Sequence, residues 1–365
     1  MEGVGVVRCA APRTRDFDTP EKRTMAPRMS RRTVLYFGVA LVATALLALV
    51  RPGTASADDG FLHGDERIIF YGDSITQAGH YVVYVDTFLA TRYPDAHFDV
   101  INHGISSETI SGTSEPDHHP RRPDAKRRFD RDIAGWKPDV VVACFGMNDG
   151  NYFPFDEERF ALYQKGVAWL AEKTAACGAR LVLVTPPPFD PYQRRARNPD
   201  AVTYGYKFPA VDYDETLIRY GEWLLQFAAE HKLTAADVHS AIARHLEIRR
   251  RERVSFYLSP DAVHPNPTGH WLMAQTILEA WKVPGTVSTA EIDAAAKTTQ
   301  SEAVSNLECR NRTVAFTWTT PLPMPKDPQW DAESLAVERF AERFNRQTLI
   351  VRGLPPGTYT LIADD

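Results

Sequence analysis

Between residues 67 and 285 the sequence predicts an α/β fold, a parallel sheet with helices on both faces. Three observations carry that reading: short apolar runs that end at chain breakers, apolar residues repeating at helical spacing between those runs, and the regular alternation of the two. The first run is Arg67-Ile68-Ile69-Phe70-Tyr71, closed by Gly72, and the second is Phe98-Asp99-Val100-Ile101, closed by Asn102. The third, Asp139 to Phe145, stops at Gly146, and the fourth, Arg180 to Val184, runs into three prolines. Apolar and β-branched content bounded by such residues marks strands buried on both faces. Among the helices, Val82, Val85, Phe88 and Leu89 share one face, as do Phe160, Tyr163, Val167 and Leu170, and Leu217, Tyr220, Leu224 and Phe227. Right-handed crossovers join such units, and ligands then bind beyond the carboxyl ends of the strands.

Beyond Pro284 the pattern changes. Residues 286–304 are rich in Ala, Thr and Ser and lean towards helix, residues 319–330 are proline-rich, and Thr348 to Val351 and Tyr359 to Ile362 read as strands joined through the turn region Gly353 to Gly357. Residues 286–365 are therefore expected to form a small C-terminal extension with a helix and short strands. Its stop at Asp364-Asp365, straight after a strand-like run, is expected of a chain cut short.

The chain has 365 residues, 44% hydrophobic and 24% charged, which excludes disordered, collagen-like and coiled-coil classes. Its single long apolar run excludes a multi-span membrane protein. That run, Thr33 to Val50, carries no charge, follows Arg28, Arg31 and Arg32, and precedes Ala55-Ser56-Ala57. This is the arrangement of a signal peptide cut after Ala57, so residues 1–57 are expected to be an export leader and residues 58–285 the main domain. Ser30-Arg31-Arg32-Thr33-Val34-Leu35 also resembles a twin-arginine signal, with Val34 where Phe is usual. An uncleaved anchor is the alternative, and translation from Met25 or Met29 would shorten the leader. The leader holds nine Lys and Arg against four Asp and Glu, a net of +5, which leaves −10 on the remainder out of an overall −5. A body that acidic gives no electrostatic reason to expect nucleic acid as a partner. Outside the leader there are three cysteines, Cys144, Cys177 and Cys309, without the spacing of a zinc site or a disulfide framework, so free thiols are expected.

The strand ends carry the chemistry. They read Gly72-Asp73-Ser74-Ile75-Thr76, Asn102-His103-Gly104 and Gly146-Met147-Asn148-Asp149, followed much later by Asp261-Ala262-Val263-His264-Pro265-Asn266. Ser74 stands at a strand-to-helix turn, where unsatisfied N–H groups favour developing negative charge; a serine there is a plausible nucleophile, and also a common helix cap. Asn148-Asp149 on its own reads equally as a turn or a cap. A lone G-D-S is weak. With G-x-N-D and D-x-x-H-P in order behind it, the set resembles the SGNH hydrolases, also called GDSL esterases and lipases, from Gly72 to His264.

That resemblance implies a three-layer α/β/α, flavodoxin-like fold and a serine esterase. It implies that Ser74 attacks the ester carbonyl, that His264 takes and returns the proton, and that Asp261 orients the imidazole. The oxyanion donors it implies are the backbone N–H of Ser74, the backbone N–H of Gly104 and the side-chain amide of Asn148. The first block lacks the Leu of the lipase-type version and His103 fills the variable place in N-x-G, which leans away from long-chain lipases. The expected substrate is a small acyl ester, such as an acetyl group on a carbohydrate or similar alcohol. A lysophospholipase or thioesterase of the same fold is the nearest alternative, and a non-catalytic carbohydrate-binding or surface protein is the alternative of another class.

Other signals point to no further chemistry. Asp117-His118-His119 with Arg121 and Arg122 reads as a solvated loop rather than a metal or phosphate site, and Lys126-Arg127-Arg128, interleaved with Asp124, Asp130 and Asp132, as an exposed helix face. His239, His245 and His270 read as surface or core residues, and Asp73 as structural. Tyr152, Phe153, Phe189, Tyr192, Tyr204 and Tyr206 are candidates for an acyl or sugar pocket or for loop packing, with 186–209 as a rim. No cofactor and no metal are expected, and a membrane is met only through an uncleaved leader.

Overall fold

The computed structural model describes residues 5–10, 60–193, 204–310 and 312–363; of the expected leader, 1–57, all but 5–10 lie outside them. Strand β1 (Gly5–Ala10) belongs to a C-terminal sheet. The central sheet is built from β2 (Arg67–Gly72), β3 (Asp99–Gly104), β4 (Val140–Cys144), β5 (Arg180–Val184) and β6 (Thr234–Ala236), all parallel, in the order β3-β2-β4-β5-β6. That is the flavodoxin-like order, which reverses around its first strand and leaves a crevice where β2 and β4 end.

Alternation along each strand sends side chains to opposite faces. Ile68, Phe70, Val140, Val142, Val182 and Val184 pack with α2 (His80–Arg92), which follows the short α1 (Ser74–Ala78). Ile69, Tyr71, Val141, Ala143, Leu181 and Leu183 face the other way, against the one-turn α3 (Phe129–Asp132), α4 (Glu157–Ala176) and α5 (Tyr213–Glu230). Two further helices, α6 (Val238–Glu252) and α7 (Pro267–Ala280), complete the first face. The expected helical stripes are the buried ones: Val85, Phe88 and Leu89 on α2, Tyr163 and Leu170 on α4, Leu217 and Tyr220 on α5.

Residues 286–304 correct the expectation of helix. They give β7 (Thr286–Asp293), β8 (Thr298–Thr299) and the start of β9 (Val304–Arg310), and the Ala-rich part is the turn between β7 and β8. Along β7, Val287, Ala290 and Ile292 are buried, so the partner strands decide where local propensity is weak. β10 (Thr313–Trp318) follows, then α8 (Ala332–Val337), α9 (Phe340–Phe344), β11 (Arg346–Arg352) and β12 (Thr360–Ala363). The last two strands flank the expected turn but lie in different sheets: β11 runs parallel to β7, and β12 pairs with β1.

The segment carrying α8 and α9 closes over the core on the α2, α6 and α7 face of the central sheet. Trp330, Phe340 and Phe344 surround Trp271 of α7 with ring centroids 4.7, 5.1 and 5.2 Å away. A buried polar node fastens the same contact: His245 Nδ1 lies 2.8 Å from Glu338 and its Nε2 2.9 Å from the Ser334 hydroxyl. Burial would raise the Glu338 carboxyl, but the His245 and Gln275 hydrogen bonds and the Arg244 charge bring it down to about 2. All three members of this Ser-His-Glu chain are buried, so it fixes helices rather than meeting a substrate.

Candidate active site

Ser74 is the first residue of α1, directly past β2, at the crevice that the strand order creates. It is not the helix cap. Asp73 is, accepting the Ile75 N–H at 2.9 Å, which leaves the Ser74 hydroxyl for other work. His264 Nε2 lies 2.7 Å from Ser74 Oγ, and His264 Nδ1 lies 2.6 Å from Asp261 Oδ2. The second Asp261 oxygen accepts the backbone N–H groups of Val263 and His264 at 3.0 and 2.8 Å. Between these residues Ala262 holds φ at 76°, a conformation that costs a non-glycine residue about 1–3 kcal/mol and turns both side chains into one loop. Asn266 then caps α7 through Gly269 N–H, 2.9 Å away, anchoring the loop's far end.

The electrostatics follow the geometry. The hydrogen bond with Asp261 raises the His264 pKa above its ordinary 6.5, against burial, which lowers it. Burial pushes Asp261 up, but its hydrogen bonds from His264 and Val263 win and hold it well below the usual carboxylate range. An imidazolium cannot accept the Ser74 proton. The free-enzyme kcat/KM of this site is therefore expected to fall on the acid side with a midpoint above 6.5, read from a pH–rate profile; a midpoint at or below that value would contradict the Asp261–His264 coupling.

Asn148 follows β4 and is buried. Its amide oxygen accepts from Arg122 Nη1 at 3.0 Å and from the Tyr152 hydroxyl at 3.2 Å, which fixes the orientation of the amide. The Nδ2 group then donates to the Glu108 carbonyl at 3.1 Å and faces Asp73 Oδ2 at 3.4 Å. Asp149 next to it holds the turn, accepting Gly146 N–H at 2.9 Å and Ser111 N–H at 2.8 Å. Asp73, wholly buried between Ser74 and Asn148, has its pKa pushed up to about 7, by burial first and by Asp149 and Glu108, against the Ile75 N–H and His264, which lower it. A carboxyl of raised pKa thus lies next to Ser74.

Gly104 does not fill the place expected of it. Its N–H donates to Asn102 Oδ1 at 2.8 Å, and a Cβ there would overlap the backbone of Thr76 and Gln77, so this glycine lets β3 approach α1. Gly104→Ala is expected to cost about 1–3 kcal/mol of stability through that overlap, read from the urea midpoint; an unaltered midpoint would contradict the packing role. Three residues on, Ser107 adopts a left-handed φ of 64°. Among the described residues the N–H groups of Ser74 and Ser107 have no acceptor. The Ser107 carbonyl accepts from Arg122 Nη1 at 3.4 Å, and the next carbonyl, Glu108, holds Asn148, so this turn borders the site.

Arg122 is a second correction. It is buried rather than solvated, clamped by Glu115 through Nε and Nη2 at 2.5 and 2.6 Å. Arg128 is also buried, paired with Glu108 and lying 4.5 Å over the Tyr71 ring, whereas Arg127 is exposed as expected. His118 is half-buried and Asp117 and His119 are exposed, as a solvated loop requires. Of the aromatic candidates, Tyr152 and Phe189 are buried with Tyr213 at ring separations of 4.8 and 5.6 Å, and Tyr206 stacks edge-on to Tyr152 at 5.3 Å. Phe153 and Tyr204 pair at 5.7 Å, and Tyr192 lies exposed under Arg250. The first part of the expected rim, Pro186 to Asp190, is buried; residues 194–203 lie outside the described residues. Cys144 is a buried free thiol, and Cys177 and Cys309 are half-buried and free.

A model of the GDSL-like lipase/acylhydrolase family matches residues 70–272, more than half of the chain. The chain belongs to this family. Within it, this GDSL-like hydrolase is an ester-hydrolysing enzyme, and it is 26% identical over 234 residues to an acetylxylan esterase of Geobacillus stearothermophilus, covering 58% of this chain and 92% of that protein. Among solved structures, a gut microbial diltiazem-metabolizing enzyme superposes with a TM-score of 0.60 at 23% identity, over 79% of this chain and 66% of the other, a likeness of fold. The acetylxylan esterase Axe2 of G. stearothermophilus gives a TM-score of 0.46 at 25% identity, over 60% of this chain and 95% of that one.

Proposed function

We propose that this ester hydrolase works through an acyl-enzyme on Ser74 and acts on short acyl esters, acetyl groups on carbohydrates foremost. The observation that carries the mechanism is the unbroken hydrogen-bonded chain from Ser74 through His264 to Asp261, at 2.7 and 2.6 Å. His264 takes the Ser74 proton as the hydroxyl oxygen attacks the carbonyl carbon, then gives it to the departing alcohol. Water repeats the sequence on the acyl-enzyme, releasing the acid and restoring Ser74. The anionic tetrahedral oxygen is met by the Ser74 N–H, by the Ser107 N–H in place of Gly104, and by Asn148, whose long 3.4 Å contact to Asp73 is readily exchanged for the oxyanion. The substrate class is supported by the likeness to an acetylxylan esterase over 92% of that protein's length.

Labelling with a fluorophosphonate followed by peptide mapping tests the nucleophile: a single adduct on Ser74 is expected, and an active enzyme labelled elsewhere would overturn it. An acyl-chain series of p-nitrophenyl esters tests the acyl group. Acetate is expected to be turned over fastest, and a rate rising with chain length would favour a lysophospholipase or thioesterase. Export through residues 1–57 belongs to the same proposal, supported by the uncharged run after Arg31-Arg32. Cleavage after Ala57 would remove β1 from between β10 and β12, so the amino terminus of the mature protein, read by sequencing, decides between an exported hydrolase starting at Asp58 and one that keeps this strand.

A further inference from the structure

The five cations of Arg121-Arg122 and Lys126-Arg127-Arg128 fall into two sets. Three are neutralised: Arg122 by Glu115, Arg128 by Glu108 and Asp132, and Lys126 by Asp124. Arg121 and Arg127 are exposed, and among the described residues neither side chain has a carboxylate within ion-pair distance or a hydrogen-bond or ring partner; the one bond of the pair is from the Arg127 backbone N–H to the Asp124 carbonyl. Both line one cavity of about 450 Å³, with Arg122, Arg128, Glu108 and Asp124 also in its wall. Two arginines whose side chains lack a carboxylate partner thus line one cavity of ligand size, in a body that carries −10 once the leader's +5 is set aside.

The cavity shares its wall with the catalytic site. The Glu108 carbonyl accepts from Asn148 Nδ2 at 3.1 Å, and Arg122 Nη1 donates to Asn148 Oδ1 at 3.0 Å. The cavity is therefore lined by two residues that hydrogen-bond Asn148 directly. Guanidinium forks match carboxylates bidentately, and an anion is the ligand that neutralises them.

We propose that this cavity holds a carboxylate carried by the alcohol part of the ester, so that the enzyme prefers acetylated acidic sugars, of uronic acid type, over neutral ones. Arg121 and Arg127 supply the charge, and Arg122 and Arg128, already satisfied, shape the wall. The inference rests on the esterase reading of the Ser74 site.

The test compares kcat/KM for a mono-acetylated methyl glucuronide with that for the matching acetylated methyl glucoside, in the full chain. A preference of about tenfold for the acidic ester, one charge-assisted contact's worth, is expected at low salt and should shrink as ionic strength rises. In Arg121→Gln/Arg127→Gln the ratio is expected to fall towards one; each variant serves as its own control because only the ratio is read. Competition by glucuronate and by inorganic phosphate separates the two anion sources: glucuronate is expected to compete in the wild type and not in the double variant. Phosphate competing as well as glucuronate would overturn the uronic acid assignment. A wild-type ratio near one, with the neutral ester still hydrolysed, would overturn the pocket while leaving the esterase intact. Failure to hydrolyse either ester would instead overturn the reading on which the proposal rests.

Discussion

Ser74→Ala is expected to lower kcat on a short-chain ester by about 10⁶-fold, His264→Ala by about as much, and the double variant by scarcely more than either. The near-identity follows from geometry. Ser74 Oγ and His264 Nε2 share one hydrogen bond of 2.7 Å, and the proton that leaves the first must arrive at the second, so removing either end removes the same step. The losses are not losses of folding. Asp73, and not Ser74, caps α1, so Ser74→Ala leaves the capping bond to Ile75 in place and the thermal midpoint is expected to stay within the scatter of surface substitutions, about 0.5 kcal/mol. Steady-state rates with p-nitrophenyl acetate, with unfolding curves of each variant beside them, check both halves. Retention of more than about a hundredth of the wild-type rate by folded Ser74→Ala would place the nucleophile elsewhere.

What the sequence made legible depended on how local each signal was. Strands β2, β4 and β5 announce themselves because a buried parallel strand is apolar on both faces and must end at a breaker. β6, only Thr234 to Ala236, carries no such run and exists because β5 offers it an edge. β7 was masked in the same way by Thr, Ser and Ala, whose preference yields to the partner strand β11. In the candidate site, Ser74, Asp261, His264 and Asn148 are legible as residue types in short motifs, and the fold brings Ser74, His264 and Asp261 into one hydrogen-bonded chain. The backbone donor proposed at Ser107 is not legible. A glycine at 104 looks like the place where a substrate comes close, yet its missing Cβ accommodates Thr76 and Gln77, and the left-handed turn falls on Ser107, a residue type that gives no warning of positive φ. Arg122 was unreadable for a related reason. In a run of mixed charge a cation reads as solvated, and only tertiary structure shows that Glu115, seven residues earlier, takes its fork into the interior.

Asn148→Ala is expected to lower kcat by about 10²–10³-fold, or about 2.7–4 kcal/mol of transition-state stabilisation, with KM little changed. The asymmetry is the informative part. An ester carbonyl in the ground state asks little of a strong donor, whereas the tetrahedral oxygen asks a great deal, so loss of the amide should appear in kcat and kcat/KM together. Asn148→Asp should be worse than Asn148→Ala, because a carboxylate beside Asp73 and the developing oxyanion adds repulsion to the lost donor, although Arg122 would hold one of its oxygens. The orientation of the amide is itself a product of Arg122 and Tyr152, both donating to Oδ1. Tyr152→Phe keeps the buried ring and removes one of these two donors, and is expected to cost less than Asn148→Ala while moving the same parameter, kcat. A tenfold or smaller loss in Asn148→Ala, or a loss carried mainly by KM, would remove Asn148 from the oxyanion site and leave it a residue of the β4 turn.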